Sequence, residues 1–144
     1  MNELQTITSL GLYMIVGVIS LMMAAKIFFS SKFLPFQQEA YGREWESIDP
    51  KLQEVILTLL KLSGLGFLII GIVLIVCPVY LYFTPNTFIR FLIPFLSLPF
   101  CFGLFIFNYG LFKKTNANTP WKKSLMAIAL IILSIVISII GEFK

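Results

Sequence analysis

Three features of this sequence point to an all-α, polytopic integral membrane protein: a four-helix transmembrane bundle with a short interfacial helix in its first loop. Of 144 residues, 58% are hydrophobic and only 12% are charged, whereas soluble domains carry about 25% charged residues. Four apolar runs, at about 7–29, 51–83, 88–112 and 120–140, take up most of the chain. Each is near or above the ~17–25 residues that cross about 30 Å of hydrocarbon. Ten of the 18 charged side chains fall in the two polar loops, 30–50 and 113–123. The chain, 1–144, therefore reads as one membrane domain, with no length left for a soluble catalytic one.

The first run, Ile7 to Phe29, starts beside Glu3 rather than a basic group and is too long for a secretory signal, so it is expected to remain as a span. Tyr13, Gly17, Ser20 and Ala24 recur at spacings of four, three and four, one face on which another helix can approach closely. Lys26 and Lys32 mark the headgroup boundary. The loop 33–50 follows. Pro35 opens a short helix closed by Gly42, with Phe33, Phe36 and Ala40 on one face, Phe33 and Phe36 expected to dip into headgroups and Trp45 to anchor the same surface.

Asp49-Pro50 predicts a helix start, because the carboxylate accepts from free N–H groups of the first turn and proline at N1 removes no bond. From there Lys51, Glu54, Thr58 and Lys61 repeat at three, four and three, a polar stripe on a helix that should project roughly 15 Å beyond the membrane before Leu62–Phe83 crosses it. Gly64, Gly66 and Gly71 thin this helix, Cys77-Pro78 should kink it, and Thr84-Pro85-Asn86-Thr87 makes a tight turn into the third run. Pro94 and Pro99 interrupt that run among many phenylalanines, with Ser97 expected to reseal freed backbone groups. Asn108-Tyr109 is the most polar pair in any span and predicts an interhelical hydrogen bond. Thr119-Pro120 repeats the cap-plus-proline start, Trp121 is a second anchor, and Ala127, Ser134 and Ser138 share a face of the last run.

Counting cations orients the chain. Lys26, Lys32, Arg43, Lys51, Lys61, Lys113, Lys114, Lys122 and Lys123 fall on one side, against Arg90 and Lys144 on the other. The positive-inside rule then puts both polar loops, 30–50 and 113–123, in the cytoplasm and both termini outside. Topology thus accounts for the net charge of +4, and no nucleic-acid partner is expected. A bacterial cytoplasmic membrane is the default setting for this composition.

The run Leu34-Pro35-Phe36, through Ala40-Tyr41-Gly42 and Trp45 to Asp49-Pro50, resembles a family of small, uncharacterised bacterial four-span proteins. Their first cytoplasmic loop has a proline-aromatic start, a small residue before glycine, then tryptophan and a second proline. Members often carry a histidine after the proline-aromatic pair, where Gln37 stands here. The resemblance implies the four-span topology and no activity.

Several chemistries are argued against by the residues themselves. Proton-coupled export needs a carboxylate within the membrane, and none lies in 7–29, 62–83, 88–112 or 120–140. Thiol oxidoreduction needs a Cys-x-x-Cys pair, whereas Cys77 and Cys101 stand alone at different depths. Histidine is absent, which removes axial haem ligands and the usual near-neutral base. Glu39, Glu44, Glu46 and Asp49 match no metal-ligand spacing and lie beside Arg43 and Lys51. No metal, cofactor or catalytic residue is expected.

Two functional classes remain. One is a non-enzymatic accessory or interaction subunit, presenting Glu39, Arg43, Trp45, Lys51, Glu54, Thr58 and Lys61 to a protein partner or a second copy. The other binds or transports a lipid-like or aromatic apolar ligand between the kinked second and third runs, at Pro94, Phe95, Pro99, Phe102, Asn108 and Tyr109. Membrane lipid surrounds either.

Overall fold

The computed structural model describes residues 3–142, so Lys144 of the charge count lies outside the described residues. It contains α1 (Glu3–Phe28), α2 (Pro35–Tyr41), a 3-10 turn (Trp45–Ser47), α3 (Pro50–Phe83), α4 (Thr87–Thr115) and α5 (Trp121–Glu142), and no strand among the described residues. Four of these helices are long and apolar enough to cross a membrane: α1, α3, α4 and α5. They form an antiparallel ring in which α1 packs on α3 and α5, and α4 packs on α5 and α3. One end of the ring carries the connections 29–49 and 116–120. The opposite end carries the start of α1, the turn 84–86 and the end of α5.

Local chemistry sets most boundaries. The Asp49 carboxylate accepts from the backbone N–H of Lys51 at 3.0 Å and of Leu52 at 3.4 Å, so α3 begins at Pro50 as the sequence predicts. Asn86 caps α4 by accepting from the Ile89 N–H at 3.1 Å. Gly42 ends α2 at φ 71°, the left-handed conformation that glycine adopts without a Cβ penalty. At α5 the expectation fails: Thr119 does not cap the helix. Its hydroxyl donates to the Asn108 carbonyl at 2.8 Å, and the first intrahelical bonds of α5 run from the Lys123 and Ser124 amides to the Pro120 carbonyl. Thr119 thereby fastens the loop to α4.

Both prolines of α4, and Pro78 of α3, sit inside unbroken helix. Ser97 does not reseal the gaps they leave. Proline removes the N–H that would bond to residue i−4, here Arg90 and Phe95, yet the Ser97 hydroxyl donates to Ile93 at 2.8 Å. It doubles a bond of its own turn.

Close approach of α1 and α3 is set by glycine. A Cβ on Gly71 would lie 2.7 Å from Leu21 Cδ2 and 3.1 Å from the Leu21 backbone nitrogen, and one on Gly17 would lie 2.8 Å from Ile75 Cγ1. The expected small-residue face holds: Tyr13, Gly17, Ser20 and Ala24 are all buried. Leu74, Ile93 and Ile131 fill the centre of the ring. Cys77 and Cys101 are free thiols.

The first loop folds inward rather than outward. Trp45 is 8% exposed, its indole meets the Phe33 ring edge-on at 4.8 Å, and Gln53 Nε2 donates to the carbonyls of Trp45 at 2.9 Å and Ile48 at 3.1 Å. Phe36 packs against Ile27, Leu34 and Leu60. Trp45, expected as a headgroup anchor, is thus buried within the loop, while Phe33 and Phe36 are half-buried. The physical reason is local: the Phe33 ring covers the indole, and the Gln53 amide satisfies two loop carbonyls.

Candidate functional site

The most developed cavity lies between α1 and α5. Towards the end that holds the termini these helices are held together by two buried serines. The Ser9 hydroxyl donates to the Ser134 carbonyl at 3.0 Å, and the Ser134 hydroxyl donates to the Ser9 carbonyl at 2.7 Å. Each hydroxyl has one proton, so both are used, and the 2.9 Å contact between the two oxygens adds no third bond. Tyr13, with Arg90 of α4, lines the small space beside this pair.

Two or three turns along, towards the loops, a crevice of about 270 Å³ opens between the helices. Val16, Ser20 and Met23 of α1 form one wall, and Ala127 and Ser124 of α5 form the other. The back is closed by α4, through Phe100, Cys101 and Leu104, with Phe67 of α3. Phe67 and Phe100 meet edge-on at 5.2 Å, and a Cβ on Gly66 would lie 3.0 Å from the Phe100 ring, so this wall is fixed. Ile19, Met22 and Lys123 line the mouth and are exposed. The crevice therefore opens sideways, towards whatever surrounds the bundle.

Its polar groups collect at one end. Asn108 Nδ2 donates to Ser124 Oγ at a long 3.5 Å, and Lys123 follows Ser124 directly. Ser20, lower on the wall, spends its proton on the Val16 carbonyl at 2.9 Å. Among the described residues Lys123 is the one ionisable ammonium in the lining, and no carboxylate lines it. An apolar slot ending in an amide, a hydroxyl and a cation has the make-up of a site for one small amphiphile.

No protein-family description, curated protein or solved structure matches the chain.

Other hollows fit a ligand less well. A groove of about 430 Å³ between α1 and α3, lined by Ile7, Gly11, Met14, Pro78, Val79 and Phe83 among others, is larger, but it is shallow and has no polar side chain besides the Tyr82 hydroxyl. The spaces around Tyr13, Arg90 and Ser138 are only about 10 and 30 Å³, room for roughly one water. A wide depression on the loop is lined by Glu39, Arg43 and Glu44 with Pro35, Gln38 and Gly42. Among the described residues no three of the Cys, Asp and Glu side chains come together as metal ligands.

Of the six residues predicted to hold an apolar ligand, only Asn108 lines the crevice. Phe95 and Phe102 point outward, 75% and 45% exposed, and Pro99 is exposed beside them. Pro94 borders the small space near Tyr13, and Tyr109 stacks on Phe105 and meets Trp121 on the outside of α4 and α5. Between the second and third spans Phe67 and Phe100 are in contact, and the crevice lies between the first and fourth. Of the partner residues, Glu39, Arg43, Lys51, Glu54, Thr58 and Lys61 are exposed, whereas Trp45 is buried in the loop. Thr58 donates to the Glu54 carbonyl at 2.8 Å, so its hydroxyl is already engaged.

Sequence reasoning missed Lys123, Ser124, Met23 and Cys101 as site residues. Lys123 and its neighbour Lys122 read alike as boundary charges. In the fold Lys122 lies 5.6 Å over the Trp121 ring, while Lys123 lines the crevice.

Proposed function

We propose that this chain is a non-enzymatic membrane protein, oriented with both loops in the cytoplasm of a bacterial cell, that receives the tail of a lipid-like ligand between α1 and α5. The single observation behind this reading is the crevice. It is apolar along its length, polar at one end and open at its side, so a tail can enter from the bilayer without crossing water. Its volume of about 270 Å³ lies just below the ~300–1,000 Å³ of sites for drug-sized ligands. That suits one tail, not a whole two-chain lipid.

Native mass spectrometry of the protein from mild detergent tests this. One lipid-like molecule per chain is expected on wild type and is expected to be lost from Ala127→Phe, which fills the crevice. Equal spectra for the two proteins, both bare or both loaded, would overturn the proposal.

A second reading, an interaction subunit, is supported by the exposed strip on the first three turns of α3. Leu52, Val55 and Leu59 are 45%, 54% and 60% exposed and run beside Lys51, Glu54, Thr58 and Lys61. If Lys61 marks the membrane boundary, this apolar ridge stands in water and is available to a protein partner or a second copy. In the same frame α2 lies at the headgroup level.

A further inference from the structure

We propose that the crevice selects a single-chain amphiphile with an anionic head, and that Lys123 is the residue that selects it. This rests on the crevice being the ligand site proposed above and adds the chemistry of the head.

Charge is the first argument. Among the described residues Lys123 supplies the one formal charge in the lining, and no acid lines it. A neutral head leaves that ammonium without a counter-charge in the crevice, and a choline head brings a second cation towards it. A phosphate or carboxylate accepts from it directly, and charge-assisted bonds of this kind are the stronger class.

Neighbouring groups complete the site. Ser124 Oγ accepts from Asn108 Nδ2 and donates to the Pro120 carbonyl, both at a long 3.5 Å, and these two groups stand at the same end as Lys123, where each can exchange its long bond for one to an oxyanion. Lys122 cannot substitute for Lys123, because its ammonium sits over the Trp121 ring on the outer face. The Trp121 ring itself packs against Phe105, Tyr109 and Phe112.

Length argues for a single tail. From Met23, level with the polar end, to Val16 at the closed end is seven residues of α1, about 10 Å of helix. The first part of an alkyl chain fills that depth, and the remainder leaves between Ile19 and Met22 into the surrounding lipid.

The test uses the full chain in zwitterionic nanodiscs and displacement of a fluorescent neutral alkyl probe by three competitors sharing one tail: dodecyl phosphate, dodecylphosphocholine and monolauroylglycerol. On wild type, dodecyl phosphate is expected to displace the probe at about fivefold lower concentration than the other two, near the upper end of what a solvent-exposed ion pair supplies. Lys123→Gln is expected to erase that preference and Lys123→Arg to keep it. A preference that survives in Lys123→Gln, or three equal competitors on wild type, overturns the anionic-head proposal while leaving the crevice standing. Probe binding unchanged by both Ala127→Phe and the gentler Ala127→Leu overturns the crevice itself, and this inference with it.

Discussion

A Cβ at position 71 has nowhere to go, while one at position 103 meets nothing within 4 Å, and this contrast shows how unevenly single residues matter in the bundle. Gly71→Val is expected to force α1 and α3 apart and cost about 1–3 kcal/mol, the usual penalty of overpacking. Gly103→Ala is expected to be neutral or stabilising by roughly 0.5–1 kcal/mol, since alanine holds a helix better than glycine. Thermal unfolding of both variants in one detergent checks this, and equal melting points would remove Gly71 as a packing position. The sequence marks Gly64, Gly66 and Gly71 alike as small. It cannot show that Gly64 and Gly71 face α1 while Gly66 faces Phe100 on α4, because an all-round apolar helix has no stripe to reveal which side meets which neighbour. Trp45 was misread for a related reason: an indole suits a boundary and a loop core equally well, and only the Phe33 ring and the Gln53 amide decide between them. Lys123 differs from Lys122 only by a rotation of about 100° around α5, which composition does not disclose.

Among the elements, α3 was the most legible and α4 the least. Asp49-Pro50 fixed the start of α3 through a named hydrogen bond, and its polar stripe is exposed as the spacing predicts. The prolines of α4 invited a binding site at a break, yet the helix passes through both, and its outward phenylalanines cover the bundle's surface. Ser134 was seen on a small-residue face of α5, but its partner Ser9 lies far away in sequence, so the pair that joins α5 to α1 needed the fold to appear. The ridge on α3 makes its own prediction. Changing both Val55 and Leu59 to Ser is expected to lower the particle mass measured by light scattering in mild detergent, through loss of a partner or second copy. An unchanged mass would leave the ridge as lipid- or water-facing surface only.

For the whole molecule, four apolar helices and their antiparallel order follow from hydropathy, since backbone in hydrocarbon must satisfy its own hydrogen bonds and helices do so within one segment. The order of helices around the ring does not follow, and the crevice depends on it: α1 and α5, the first and last spans, have to be neighbours. Orientation across the membrane belongs to the same scale. With Asn116→Cys in a background lacking Cys77 and Cys101, a membrane-impermeant thiol reagent is expected to leave intact cells unlabelled and to label inverted vesicles, and labelling from outside would reverse the proposed topology. The claim on which most else depends is that a tail lodges between α1 and α5. A fatty acid with a diazirine in mid-tail, photolysed with the full chain in nanodiscs and mapped by peptide mass spectrometry, tests it most directly. Labels concentrated on Met23, Cys101, Leu104 and Ala127 are the expected result. Labels spread over the outward faces at Phe95, Phe102 and Phe107, with none on those four, would contradict it.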